Sequence, residues 1–349
     1  MINMIRGDSA ESIQNALRTN SNVRCRAGGS KSALSSDATL DLSPLSGVVQ
    51  YDPSEYTFTA LAGTPLEVVR NTLTENGQFM PFDPPMIQSG ATLGGTVAAG
   101  LSGSGRFRYG GVRDFILGVK MITRSGEAVF GGSKVVKNAA GFDFPKLMCG
   151  SLGRFGIMLE LTFKVFPLPE EFKTIRIECS DLQFAIRALS KMSRLPLDLT
   201  CLDLDPAGHL VIRLGGSKTA LPDRIERIRA TVDCRMSDIE NDAEYWDGIN
   251  DFQWLPSQHS LIKMPISPSQ ISDAEDFFNR MANTIPRRYC VAGNLLWIGW
   301  PRGESRAVLD GLCSSLNRQA VAITGNWDSP HIGPSNTNTF GERIEAVFC

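Results

Sequence analysis

Two glycine-bearing phrases have the composition for holding phosphate. Ala27-Gly28-Gly29-Ser30-Lys31-Ser32 follows a short strand candidate, Asn22 to Arg26, and Gly90-Ala91-Thr92-Leu93-Gly94-Gly95 opens the longer run GATLGGTVAAGLSGSG. A diphosphate carries two negative charges, and burying it requires donors already fixed in place. Backbone N–H groups in glycine turns and at helix N-termini supply them without bulky cations. The hydroxyls of Ser30 and Thr92 add a bond each, so two separate loops are expected to grip one diphosphate. The stretch Gly90 to Gly156 holds 16 of the chain's 33 glycines. Such density weakens helix and strand interiors and is kept where backbone must approach something closely or adopt φ > 0. A large phosphorylated cofactor fits that description, and on this reading Gly94→Val or Gly95→Val abolishes its retention by filling the cofactor's space. Taken alone, Gly28-Gly29 reads equally as a tight turn. A Rossmann site is set aside: no GxGxxG occurs, and the glycines Gly150, Gly153 and Gly156 have the wrong spacing and precede a strand.

Other chemistry is sparse. Eight cysteines are scattered without a CxxC or CxC pair, and His209, His259 and His331 are the only histidines, which argues against an iron–sulfur, zinc or histidine-rich metal centre and against a disulfide framework. Arg106, Arg108 and Arg113 stand in the glycine-rich half as cations for a substrate carboxylate, each also readable as a surface or ion-paired arginine. None of the histidines is surrounded by residues that define an acid–base constellation. With 35 Lys plus Arg against 37 Asp plus Glu, and no basic run, the chain lacks the positive surplus that a nucleic-acid partner requires. Apolar runs fall short of the ~20 residues that span a bilayer, and MINMIRGDSAES lacks an apolar signal core, so a cytoplasmic location is expected, peripheral at the inner membrane at most through partners.

At 349 residues the chain accommodates two domains. In the first, Asp8 and Glu11 are placed to cap a short amphipathic helix bearing Ile13, Ala16 and Leu17. Thr64-Pro65-Leu66-Glu67 reads as N-cap, N1 proline and N3 glutamate of a helix stopped at Asn76-Gly77. Phe115 to Ile122 and Glu127 to Phe130 form a hairpin about Arg124-Ser125-Gly126, and Ile157 to Val165 alternates as a half-buried strand. The segment Phe166-Pro167-Leu168-Pro169-Glu170-Glu171 reads as a linker. Beyond it two βαββα patterns follow, 174–232 and 261–324, with a final strand visible only in the second; together they predict a ferredoxin-like α+β cap, pseudo-duplicated.

The phrases in order are GGSK (Gly28 to Lys31), YDPSEYTFTALAGTPL (Tyr51 to Leu66), FDPP (Phe82 to Pro85), ATLGGTVAAGLSG (Ala91 to Gly103), GGVRDFILGVKMITRSGE (Gly110 to Glu127) and KNAAGFDFPKLMCGSLGRFGI (Lys137 to Ile157). Over roughly residues 5 to 170 they resemble the FAD-binding domain of the vanillyl-alcohol oxidase/p-cresol methylhydroxylase (PCMH) superfamily, and in particular small flavin subunits of bacterial glycolate oxidases. The resemblance implies an α+β fold: a PCMH-type FAD-binding domain of two α+β subdomains, 1–168, then a ferredoxin-like α+β cap domain on the substrate side, 173–349. It implies that Ala27, Gly28, Gly29, Ser30, Lys31 and Ser32 wrap the pyrophosphate. Pro84, Pro85, Gly90, Ala91, Thr92, Gly94, Gly95, Ser102 and Gly103 would line the ribityl and isoalloxazine side, and the backbone of Gly156 and Ile157 would meet the adenine. Lys137 and Asn138 match a motif of such subunits without a derivable role. Members that tether the flavin carry His where Ser30 stands, and some add Cys near Ser89 to Thr92; neither is present, which implies non-covalent FAD. Catalytic subunits usually carry Glu where this chain has Leu152. The implied activity is oxidation of a small 2-hydroxy acid, glycolate or D-lactate, with a larger flavin subunit and an iron–sulfur subunit as partners. A flavin-loaded scaffold that turns over nothing, the FAD subunit of a molybdenum hydroxylase, and a sugar-nucleotide binder without flavin are the alternatives.

Overall fold

The computed structural model describes residues 4–20, 23–132, 143–205, 207–334 and 343. The chain divides into two compact units: the first takes in Gly110–Leu168 and all that precedes Ser104, the second Ser104–Tyr109 and Pro169–Ser335.

In the first unit, β1 (Ile5–Arg6), β2 (Cys25–Arg26) and β3 (Leu40–Asp41) form a small parallel sheet in the order β1-β3-β2, with α1 (Ala10–Thr19) between the first two strands. Ser9, rather than Asp8, caps α1: its hydroxyl accepts from Ser12 N, and Ser12 Oγ accepts from Ser9 N, both at 3.1 Å. A serine three residues on does what Glu11 was expected to do, one position later. The α1 face and the parallel strands share a core of Ile13, Ala16, Leu40, Leu42, Ile157 and Leu159.

A five-stranded antiparallel sheet runs in the order β4-β5-β9-β7-β8, from β4 (Val48–Asp52), β5 (Thr57–Leu61), β7 (Ile116–Thr123), β8 (Ala128–Gly132) and β9 (Gly156–Lys164). β7 and β8 are the expected hairpin. β9 corrects its expectation, since it is central and buried on both faces, with Met158 and Thr162 enclosed as well as the odd-numbered residues. The polar side includes a Thr59–Thr162 hydroxyl pair at 2.9 Å, which lets a threonine stand inside. Helix α2 (Leu66–Thr74) buries Leu66, Val69 and Leu73, but Thr64 does not cap it; the Thr64 hydroxyl donates to Leu61 O at 2.7 Å and accepts from Gly47 N at 2.9 Å. Phe166-Pro167, read as linker, forms β10 (Phe166–Pro167) antiparallel to β6 (Gln78–Phe79). The short helices α3 (Leu93–Ala99), α4 (Arg106–Tyr109), α5 (Val112–Phe115) and α6 (Phe144–Met148) sit in the glycine-rich half.

The second unit is built on one nine-stranded sheet. Its strands are β11 (Glu171–Glu178), β12 (Cys201–Leu204), β13 (His209–Gly216), β14 (Arg235–Ile239), β15 (His259–Pro265), β16 (Arg287–Cys290), β17 (Leu295–Pro301), β18 (Ala320–Ala322) and β19 (His331–Ile332). The order is β14-β11-β13-β12-β16-β17-β15-β18-β19, antiparallel throughout. With α7 (Leu182–Met192) and α8 (Leu221–Arg229) in the first half, and α10 (Ile271–Phe278) and α11 (Arg306–Ser315) in the second, both halves read βαββαβ. The first half has strand order 4-1-3-2 and the second 2-3-1-4, so two ferredoxin-like units meet at their second strands, β12 against β16. The final strand of the first copy, β14, and the helix α9 (Asp242–Asn250) between the copies were absent from the sequence reading.

Candidate cofactor site

Loop 27–32 leaves β2 in a conformation that needs both of its glycines. Gly29 has φ +71°, the left-handed region. A Cβ on Gly28 would lie 1.8 Å from the Gly90 carbonyl oxygen and 3.3 Å from Thr92 Cγ2. The two phrases read as separate phosphate loops therefore pack backbone to backbone. Among the described residues no acceptor faces the N–H groups of Gly28, Gly29, Ser30 or Lys31, nor that of Thr92 beside them.

The Lys31 side chain adds the charge that these amides lack. It is 7% exposed, hydrogen-bonds Ser30 Oγ at 3.1 Å, and lies 3.8 Å from where a Gly95 Cβ would stand. Among the described residues no carboxylate pairs with it. Burial alone lowers its ammonium to about 8. A buried cation without a counter-charge, beside successive open amides, is an environment completed by an anion.

The N-terminus of α3 does less than expected. Thr92 caps it through its hydroxyl, which accepts from Gly95 N at 3.4 Å. Leu93 N donates to Thr64 O at 2.9 Å and Gly94 N to Ala62 O at 2.7 Å. Those three amides are satisfied by protein, so the open donors among the described residues are those of Gly28, Gly29, Ser30, Lys31 and Thr92. Gly94 is also not open to a cofactor on its Cα side: a Cβ there would meet Ala62 Cβ at 2.8 Å. The expected clash of Gly94→Val is thus with Ala62.

The remaining predicted residues divide into two groups. Phe82, fully buried, stacks on Phe163 and tilts against Phe115, each at 5.7 Å between ring centroids. It anchors the loop that carries the buried Pro84 and Pro85, bracketed by Asp83 (φ +53°) and Met86 (φ +68°). Gly103 N donates to Asp83 O at 2.6 Å, Ala91 N to Met86 O at 3.0 Å, and Ser102 Oγ accepts from Val112 N at 2.9 Å. Pro84, Pro85, Gly90, Ala91, Ser102 and Gly103 are thereby drawn to one place. Ser32 opens a single 3-10 turn, Ser32–Leu34. Gly156 (φ +141°) starts β9 where a Cβ would strike Ile122 O at 2.2 Å, and the Ile157 side chain belongs to the core on which Ala27 packs. Only backbone is left at 156–157 to face a ligand. Lys137 and Asn138 lie outside the described residues.

The candidate catalytic side chains do not converge. Arg108 pairs with Asp198 at 2.7 Å, Arg113 donates to Lys146 O at 3.0 Å, and His209, His259 and His331 fall on three different strands. What the sequence reading missed is a polar cluster within the second unit. Register places Arg176, Val211 and Asp203 in one row across β11, β13 and β12, on the face to which Arg288 of β16 and Lys263 of β15 also belong. Asp203 is fully buried; its carboxylate accepts from Ser104 Oγ at 2.6 Å and from Val291 N at 3.1 Å, and burial holds its pKa above the usual carboxylate range. Arg288 donates to Tyr245 OH at 3.3 Å, while its Nε is buried without an acceptor. Burial, aided by Arg106, lowers the Lys263 ammonium to about 8. The available signal was Asp203 itself, a carboxylate at an inward position of the alternating strand Cys201-Leu202-Asp203-Leu204.

An FAD binding domain family matches residues 4–131. Glycolate oxidase subunit GlcE of Escherichia coli (strain K12) is 41% identical over 162 residues, 46% of this chain and 46% of that protein. The first part of the chain carries an FAD binding domain. A D-2-hydroxyglutarate dehydrogenase of Xanthomonas citri pv. viticola is 34% identical over 40% of this chain and 30% of that protein. The matched segments span less than half the length of these curated relatives. Among solved structures, p-cresol methylhydroxylase with substrate bound has a TM-score of 0.72 at 12% identity, covering 92% of this chain and 80% of that one. An alkyldihydroxyacetonephosphate synthase gives 0.72 at 14% identity, covering 99% and 75%. Both share the α+β PCMH-type fold with a following antiparallel-sheet domain. Among the described residues no helix is long and apolar enough to cross a membrane.

Proposed function

We propose that this chain holds FAD non-covalently and serves as the flavin subunit of a 2-hydroxy acid oxidase or dehydrogenase, passing electrons to a partner chain. The observation that carries this reading is the unpaired Lys31 ammonium beside the open amides of Gly28, Gly29, Ser30, Lys31 and Thr92. Those donors would hold the diphosphate bridge, with Ser30 Oγ steering the Lys31 ammonium. Ser30 and the residues 89–92 offer no histidine or cysteine for a covalent tether. FAD held there supplies a two-electron acceptor. Pro84, Pro85, Ser102 and Gly103 would border its ring, on a domain reaching residue 168.

In the second domain, 173–349, the cationic sheet face supports a carboxylate-bearing substrate. Arg288, with a buried Nε awaiting an acceptor, would orient that carboxylate, and Lys263, near neutral at about 8, is the chain's candidate for holding or releasing a proton close by. The relatives' printed names, glycolate oxidase subunit and D-2-hydroxyglutarate dehydrogenase, favour a 2-hydroxy acid as that substrate. The scatter of all eight cysteines without a cluster motif supports a division of labour in which a larger flavin subunit and an iron–sulfur subunit complete the complex.

The test is anaerobic addition of glycolate and of D-lactate to the purified FAD-loaded chain, alone and with its co-purifying partners, while the flavin absorption band is followed. Bleaching in either setting supports a 2-hydroxy acid oxidoreductase. Bleaching by NADH alone overturns it in favour of a molybdenum-hydroxylase type subunit, and a colourless protein whose melting temperature ignores FAD overturns the cofactor assignment.

A further inference from the structure

Two free thiols oppose each other at the outer edge of the nine-stranded sheet. β11 and β14 run antiparallel with Glu178 opposite Arg235 as their last register pair, and β14 is the edge strand. Cys179 and Cys234 are the next residue on each side, so they stand opposite one another just past the ladder. Both are partly exposed free thiols, close enough for the Cys234 sulfur to act on the Cys179 thiol. Directly opposed residues of an antiparallel pair keep their Cα atoms about 4.5–5.5 Å apart, inside the range of about 4.4–6.8 Å that a disulfide spans.

We propose that Cys179 and Cys234 form a reversible dithiol–disulfide pair that exchanges with low-molecular-weight disulfides of the oxidised-glutathione type. Burial, and then the neighbouring Cys234 sulfur, push the Cys179 thiol up to about 12, so Cys179 keeps its proton and Cys234 is the sulfur that attacks first. The Cys234 thiolate displaces one glutathione thiolate from the disulfide, breaking its S–S bond and leaving glutathione on Cys234. Cys179 then gives up its proton and attacks the Cys234 sulfur, expelling the second glutathione thiolate. Two protein thiols are oxidised by two electrons, one glutathione disulfide is reduced, and the two thiol protons end on the two released glutathiones. The product ties the edge strand β14 to β11 and closes residues 179–234 into a loop.

Incubating the FAD-loaded full chain with oxidised glutathione, alkylating, and mapping peptides by mass tests this. The expected product is a linked Cys179–Cys234 peptide, with two of the eight thiols lost and recovered with dithiothreitol. Cys179→Ser is expected to trap one glutathione on Cys234, and Cys234→Ser to be modified at Cys179 at least about tenfold more slowly. Retention of both thiols under conditions that oxidise a free dithiol control, or linkage of either one to a different cysteine, overturns the proposal.

Discussion

Lys31 concentrates the cofactor question in one atom. Its ammonium is lowered to about 8 by burial, below the 10.5 of an unburied lysine. The folded chain therefore releases this proton before the unfolded chain does. The unfolded state binds more protons between about 8 and 10.5, so this residue's contribution to apo-protein stability rises with pH through that window. A bound diphosphate restores the charge, so FAD binding takes up a proton there and weakens as pH climbs past about 8. Lys31→Met is expected to lower FAD affinity about 10–100-fold, the scale of a lost charge-assisted bond, and to flatten that pH dependence, whereas Lys31→Arg keeps affinity at high pH. Flavin fluorescence titrations from pH 7 to 10 check both. Gly95→Ala is the milder probe: its Cβ would meet Thr92 Oγ1 at 3.1 Å and stand 3.8 Å from Lys31 Nζ, so FAD affinity should fall with little change in melting temperature. The lysine was legible as part of a glycine loop, but its burial and lack of a counter-charge were not, because both depend on the second glycine phrase closing over it.

Among the elements, loop 27–32 and the turn at Gly90 form one device. Gly28→Ala would drive a Cβ to 1.8 Å from the Gly90 carbonyl oxygen, a backbone atom that cannot rotate away. The variant is expected to lose about 1–3 kcal/mol of stability from overpacking and most of its bound FAD, measured by urea unfolding and by flavin content after gel filtration. The periodicities that placed α2, β7, β8 and β9 came from large apolar residues at repeating positions, and such patterns survive in one dimension. Cap chemistry did not survive as well: Thr64 has the right type and place, yet its hydroxyl goes to Leu61 O and Gly47, because β5 brings those backbone groups closer than the helix start. Helix α9 gave no sequence signal. It starts from Asn241 at φ +55° without a side-chain cap, and its anchors are tertiary, Trp246 Nε1 on Thr174 Oγ1 at 2.8 Å and Asp242 with Arg213 and Thr174. β14 has one ladder neighbour, so its Arg-Met-Ser-Asp-Ile composition never needed to look apolar.

At the scale of the molecule, the pseudo-duplication decides where the second unit is vulnerable. Each βαββαβ copy carries long internal ladders, while the seam between them has a single register pair, Leu204 with Tyr289, reinforced by Ala292 N on Leu202 O at 2.7 Å and Val291 N on Asp203 at 3.1 Å. The seam strand β16 is pinned from its helix side by one carboxylate. Glu275 of α10, 4% exposed, accepts from Arg287 Nε at 2.7 Å and Tyr289 OH at 2.5 Å, and pairs again with Arg287 Nη2. Removing that carboxylate leaves the Arg287 guanidinium buried without its charge partner, so Glu275→Ala is expected to cost about 3–5 kcal/mol. Tyr289→Phe leaves the ion pair intact and should cost about 1–2 kcal/mol. Replacing Glu275 and Arg287 together by Leu and Met removes both charges and should recover most of the loss. Hydrogen exchange separates this account from a general loss of stability: in Glu275→Ala, amides of β16 and β17 should exchange first. FAD affinity should stay within a factor of about two, because sites without shared partners act additively and the amide donors and Lys31 belong to the other unit. Equal acceleration across the five-stranded sheet of the first unit, or loss of flavin on the same substitution, would count against a seam confined to the second.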